Sequence, residues 1–164
     1  MYNKNKEIDD MNKEAIEKSI KLSELSIEKG GGPFGAVIVK NGQIIAEAHN
    51  TVTITNDPTA HAEINAIRAA CNKLKTFDLS DCEIYSSCEP CPMCLSAIYW
   101  AKIPVVYYIN TKKDAAAIGF SDDFIYNELS LPKEERKLKM IKVENVNAAY
   151  AFEKWTKKED KINY

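Results

Sequence analysis

The stretch SCEPCPMCLSAIYWA, residues 87–101, decides how this chain is read. It follows a short β-prone run, Asp81 to Ser86, and passes through a loop with two prolines, Cys88 to Pro92. From Cys91 to Ala101 the pattern is helical, and Pro92 suits a first turn, where its missing N–H costs nothing. Cys91 and Cys94 stand three residues apart, on neighbouring turns of one helical face, so both thiolates can address one ion. A helix N-terminus also favours negative charge and lowers a thiol's pKa. Taken alone, Cys-x-x-Cys is equally the pattern of a redox pair or of half a structural zinc knuckle.

A second fragment upstream changes the odds. His61-Ala62-Glu63 opens a helix expected over Ala60 to Leu74, directly after a Thr/Asn-rich loop at 50–59. His61 completes a set of three protein ligands with Cys91 and Cys94. Zinc prefers four ligands, and a catalytic zinc keeps the fourth position open. Glu63 lies two residues past the histidine at a different helical azimuth, so it need not bind metal and can handle protons instead. A redox pair would leave His61 and Glu63 without a purpose. His49, Cys71 and Cys82 are scattered and cannot finish a four-cysteine site. Cys88 has the same spacing to Cys91 as Cys91 has to Cys94. Pro90 and Pro92 fit a helix start at Cys91, which assigns Cys88 as a non-ligand.

Working outward, residues 10–29 read as a helix, capped by Asp9 or Asp10 and stopped by Gly30. A hairpin follows, Phe34 to Lys40 and Gln43 to Ala48, joined by Asn41-Gly42. Pro104 to Asn110 is β-prone, and Asp114 to Tyr126 is expected to hold a short helix and a turn. Leu138 to Val143 is expected to be a fifth strand, and Asn145 to about Lys158 a last helix. Strands alternating with helices imply a three-layer α/β/α sandwich around a central mixed five-stranded sheet. At 164 residues the chain is expected to form one domain, residues 1–164.

Composition narrows the function classes. Apolar residues at 45% supply a core, and a net charge of -2 with a pI near 5.8 is not the footprint of a protein that grips a phosphate backbone. Small substrates therefore lead over nucleic acids. Met1 to Asp10 is polar with no apolar targeting core, and no stretch approaches the ~20 apolar residues that span a bilayer. The expected location is the cytoplasm, where thiols stay reduced.

The pair H-x-E and P-C-x-x-C is the known signature of zinc nucleobase deaminases. The chain resembles the cytidine deaminase-like superfamily, and within it the small bacterial guanine deaminases, from about residue 14 to Tyr164. The stretches that carry the likeness are GGPFGAVIV (31–39), NDPTAHAE (56–63), SCEPCPMCLSAIYWA (87–101), GFSDDFIY (119–126) and the terminal Tyr164. The first three are partly shared with tRNA adenosine deaminases; the later ones point more narrowly to guanine.

The resemblance implies Zn²⁺ on His61, Cys91 and Cys94, with Glu63 moving protons and Asp122, beside Asp123, assisting at the amino group. It implies Phe34, Asn50, Ala62 and Tyr164 as substrate-binding residues. It also implies a homodimer in which a C-terminal segment, about 145–164, is swapped onto the partner, so that Tyr164 closes the neighbour's pocket. The implied reaction is guanine plus water to xanthine plus ammonia. Alternatives are deamination of adenosine in tRNA, or of guanosine or another aminated base. A non-catalytic zinc or thiol protein is the rival from another class.

Overall fold

The computed structural model describes residues 11–144 and 148–163. It divides into two compact units, Met1–Asp122 and Asp123–Tyr164.

In the first unit, helix α1 spans Lys13–Glu28, followed by strands β1, Gly35–Lys40, and β2, Gln43–His49. A one-turn helix α2, Val52–Thr55, leads to α3, Ala62–Leu74. Then come β3, Cys82–Cys88, helix α4, Pro92–Trp100, strand β4, Val105–Asn110, and α5, Lys112–Ala117. The sheet order is β2-β1-β3-β4. β1 pairs antiparallel with both β2 and β3, whereas β3 and β4 run parallel.

The three layers follow from alternation along β1 and β3. Val37, Val39 and Tyr85 face Ala15 and Leu22 of α1. Ala36, Ile38 and Ile84 face the other way, into a cluster with Ala62, Ala66 and Ala70 of α3 and Ile98 of α4. A strand covered on both faces loses the polar/apolar alternation of a half-exposed one, and Gly35 to Val39 are all buried. Small residues let the layers close. Ala62, Ala66 and Ala70 present only methyl groups to the sheet. On the other face a Cβ on Gly35 would collide with the backbone of α1 at Ser19 and Ser23. The hairpin turn takes Asn41 and Gly42 at φ 50 and 75, the left-handed pair that a two-residue turn needs.

Two expectations need correction. Among the described residues the sheet has four strands, not five. Leu138 to Val143 has β-prone composition, but the segment belongs to the second unit and forms no ladder, since a strand needs an edge to pair with. The first helix is capped by Asn12, whose side chain accepts the Ala15 N–H at 3.0 Å. Asp9 and Asp10 lie outside the described residues. Asn12 is fixed from afar: its N–H donates to the Tyr85 hydroxyl at 3.0 Å and its amide to the Gly42 carbonyl at 2.9 Å.

The second unit contains α6, Asp123–Ser130, a 3₁₀ turn at Lys133–Glu135 and α7, Ala149–Lys157. No described residue from Asp123 to Asn163 is buried. Among the described residues, no helix is long and apolar enough to cross a membrane.

Candidate metal centre

The strand directions gather the site at one end of the sheet. Gly35 opens β1 opposite His49, the last residue of β2, and Ala36 lies opposite Ser86 near the end of β3. Cys88 and Asn110 close the parallel pair β3/β4 at that same end. The loops that leave it lead into α3, α4 and α5.

His61 and Cys91 play the same structural part in two different helices. Each is an N-cap in extended conformation, at φ -68, ψ 158 and φ -65, ψ 168. Neither side chain caps its own helix, so both are free to point at a shared centre. The loop before His61 is pinned by Thr51, whose N–H donates to the Ala60 carbonyl at 3.0 Å. Asn65 donates to the carbonyls of His49 at 3.1 Å and Ala60 at 3.3 Å. Cys94 enters from the first turn of α4 and is fully buried.

The result is a compact donor set. His61 Nδ1 lies 3.6 Å from Cys91 Sγ and 3.5 Å from Cys94 Sγ. The three ligand atoms lie within 4.8 Å of one another. A tetrahedral ion at ordinary Zn–N and Zn–S lengths has N···S edges of about 3.6 Å, so the donors fit zinc in both spacing and kind. Cys88 is not part of the set; its thiol points to the Thr111 carbonyl at 3.7 Å, and burial pushes it up to about 11. A hydrogen bond from Cys94 holds the Cys91 thiol down at about 4, and His61 adds to that effect. The same bond, together with burial, pushes Cys94 upward. The hydrogen bond with Cys91 raises His61.

Glu63 sits beside the donors, only 6% exposed. Its Oε2 lies 3.4 Å from Cys94 Sγ, and its Oε1 accepts a hydrogen bond from Ser86 Oγ at 3.2 Å. Burial raises its carboxyl above the ordinary range. A buried carboxyl in contact with such a donor set is placed to take and give protons.

Phe34 and Asn50 occupy adjoining strand ends. The Asn50 N–H donates to the Phe34 carbonyl at 3.0 Å, and Gly35 N–H donates to Ser87 Oγ at 3.0 Å, which ties this edge to β3. Asn50 is buried, and its side-chain oxygen accepts from Gly32 N–H at 3.4 Å and Val52 N–H at 3.1 Å. A Cβ on Gly31 would strike the Asn50 carbonyl, so the glycine is required there. Ala62 is fully buried between the two site residues that flank it. Asp122 is half-buried, two residues after Phe120, whose ring stands edge-on to Phe34 with centroids 5.0 Å apart. Tyr164 lies outside the described residues.

Two neighbours were not singled out from sequence, Ser86 and Phe120. Ser86 had a readable signal: along β3 it shares the face of Cys82 and Ile84, and a hydroxyl on a buried face needs a partner.

The family of cytidine and deoxycytidylate deaminase zinc-binding regions matches residues 9–110. The chain belongs to this family. Among relatives of this deaminase chain, the guanine deaminase of Bacillus subtilis (strain 168) is 53% identical over 82% of the chain and 86% of the relative. The tRNA-specific adenosine deaminase of Aquifex aeolicus (strain VF5) is 39% identical over 74% and 78%. The X-ray structure of guanine deaminase from Bacillus subtilis superposes with a TM-score of 0.89 at 49% identity, covering 94% of this chain and 99% of that one. Zinc is the metal of the family, and the His61, Cys91 and Cys94 donors are of the kind it takes.

Proposed function

We propose that this deaminase hydrolyses guanine to xanthine and ammonia, with His61, Cys91 and Cys94 holding zinc. The observation that carries the reading is the buried Glu63 carboxyl, two residues past one ligand and in contact with another. The choice of guanine is supported by the likeness to the Bacillus subtilis enzyme, which extends over most of both chains.

Zinc, when bound, supplies a Lewis acid that makes water nucleophilic near neutral pH. Guanine carries its amine on C2, between N1 and N3. Glu63 accepts a proton from the attacking water as the oxygen bonds to C2, and delivers it to N3. The proton of the new hydroxyl then travels by Glu63 to the amine, which leaves as ammonia while C2 becomes a carbonyl. Phe34 stacks on the base, and its ring is braced by Phe120. Asn50 has its side-chain oxygen committed to two backbone N–H groups, so its amide nitrogen is the donor it offers to the base. Ala62 lies against the base through its backbone. Asp122 meets the departing amino group.

The protein works as a homodimer, with a C-terminal segment, about 145–164, swapped onto the partner and Tyr164 closing the partner's pocket. Support comes from the second unit, where Ile141 is 82% and Phe152 79% exposed and no described side chain is buried. Apolar surface of that extent marks a contact site. Five free cysteines fit a reducing cytoplasm, and the reaction belongs to purine metabolism.

An ammonia-release screen of guanine, guanosine, adenine, cytosine and a tRNA carrying an adenosine anticodon tests the substrate, with zinc content measured alongside. Release from guanine alone supports the reading. Inosine in tRNA without release from guanine overturns it.

A further inference from the structure

We propose that Ser86 is a positioning residue for Glu63: its hydroxyl anchors one carboxylate oxygen and thereby holds the other toward the His61, Cys91 and Cys94 donors. The inference rests on the proton-carrying role given to Glu63 above.

Ser86 lies on β3 with Cys82, Ile84 and Cys88 on the same face, and it is 2% exposed. That face packs on α3, the helix that carries Glu63. The Ser86 hydroxyl accepts the Cys88 N–H at 3.5 Å and donates to Glu63 Oε1 at 3.2 Å. A hydroxyl has one hydrogen. With the Cys88 N–H on an acceptor position, that hydrogen is directed to the carboxylate.

The two oxygens of Glu63 therefore differ. Oε1 is tied to the sheet, and Oε2 stands 3.4 Å from Cys94 Sγ, on the side of the metal ligands. A carboxylate that takes a proton from one atom and delivers it to another gains from presenting the same oxygen in the same place each time, since small misplacements cost rate. The Ser86–Cys88 link also connects Glu63 to the loop that delivers Cys91. The proton carrier and the ligand loop are thus referenced to one strand.

The test uses the zinc-loaded protein with guanine as substrate, comparing wild type, Ser86→Ala and Ser86→Thr. Ser86→Ala is expected to lower kcat about 10- to 100-fold, the scale of a hydrogen bond to a charged group. KM should stay within about threefold, because the lost contact acts on the chemical step and not on binding. Zinc content is expected to be unchanged. Ser86→Thr restores the donor and is expected to keep kcat within about threefold of wild type. The carboxylate infrared bands of Glu63, assigned by difference against Glu63→Gln, are expected to move in Ser86→Ala and not in Ser86→Thr. A wild-type kcat in Ser86→Ala, an equal loss in both variants, or unmoved bands overturns the inference and leaves the deaminase reading intact. A wild-type protein that releases no ammonia overturns both.

Discussion

The two units of the chain solve burial in opposite ways. In Met1–Asp122 a four-stranded sheet is covered on both faces, and burial raises the Glu63 carboxyl beside the His61, Cys91 and Cys94 donor set. From Asp123 onward no described residue is fully buried, although the segment is rich in large apolar side chains such as Phe124, Ile141, Tyr150 and Phe152. The first closes on itself through α1, α3 and α4. The second leaves large apolar side chains exposed, the surface on which the proposed dimer contact rests.

The most demanding prediction concerns the interior of the first unit. Glu63→Gln keeps the shape of the side chain and removes its ability to accept a proton. It is expected to lower kcat by about 10⁴-fold with zinc content unchanged, measured by ammonia release and metal analysis. Retained turnover would break the assignment of Glu63.

Next in size is the packing of that unit. Ile38 is fully buried between β1 and α3, so Ile38→Ala is expected to cost about 2–5 kcal/mol in urea unfolding. The matched substitution in the second unit is Phe152→Glu. If that unit is completed by a second copy, sedimentation should show the dimer weakened at least about tenfold, while the stability of the first unit stays within about 0.5 kcal/mol. A protein that is monomeric before and after the change would contradict the proposed swap, and the contrast between the units would need another cause.

The smallest expected effect is electrostatic and lies on the surface of the first unit. Lys102 donates to Asp78 at 2.8 Å and, with Ser80, holds its carboxyl well below the ordinary carboxylate range. A depressed carboxyl contributes stability above its unfolded pKa and loses it as pH falls through the folded value. Lys102→Ala should move the Asp78 titration up toward ordinary values by NMR, with little change in melting temperature, because an exposed pair is screened by solvent.

The grouping of the candidate donors was legible in sequence because its information is local. A histidine and a cysteine at helix starts, with a second cysteine three residues on, declare themselves within a few positions. The neighbours of those residues did not. Ser86 meets Glu63 only because β3 and α3 pack with one register, across 23 positions of sequence. Asn12 replaced the expected aspartate caps because Tyr85 on β3 and the Gly42 carbonyl of the hairpin turn fix it from afar. The fifth strand failed for a related reason: β-prone residues at 138–143 state a preference, but an edge to pair with is a property of the folded chain. The layered sheet itself was readable, since short apolar β-prone runs, the Asn41-Gly42 turn and helical stripes are short-range patterns.

In the proposed site two separate helix starts deliver one nitrogen and two sulfurs to a single zinc. X-ray absorption at the zinc edge of the metal-loaded protein measures this directly. The expected shell is two sulfurs at about 2.3 Å and lighter ligands near 2.0–2.1 Å, including one imidazole. A shell of three sulfurs, which would bring in Cys88, or one with no sulfur at all, would contradict it.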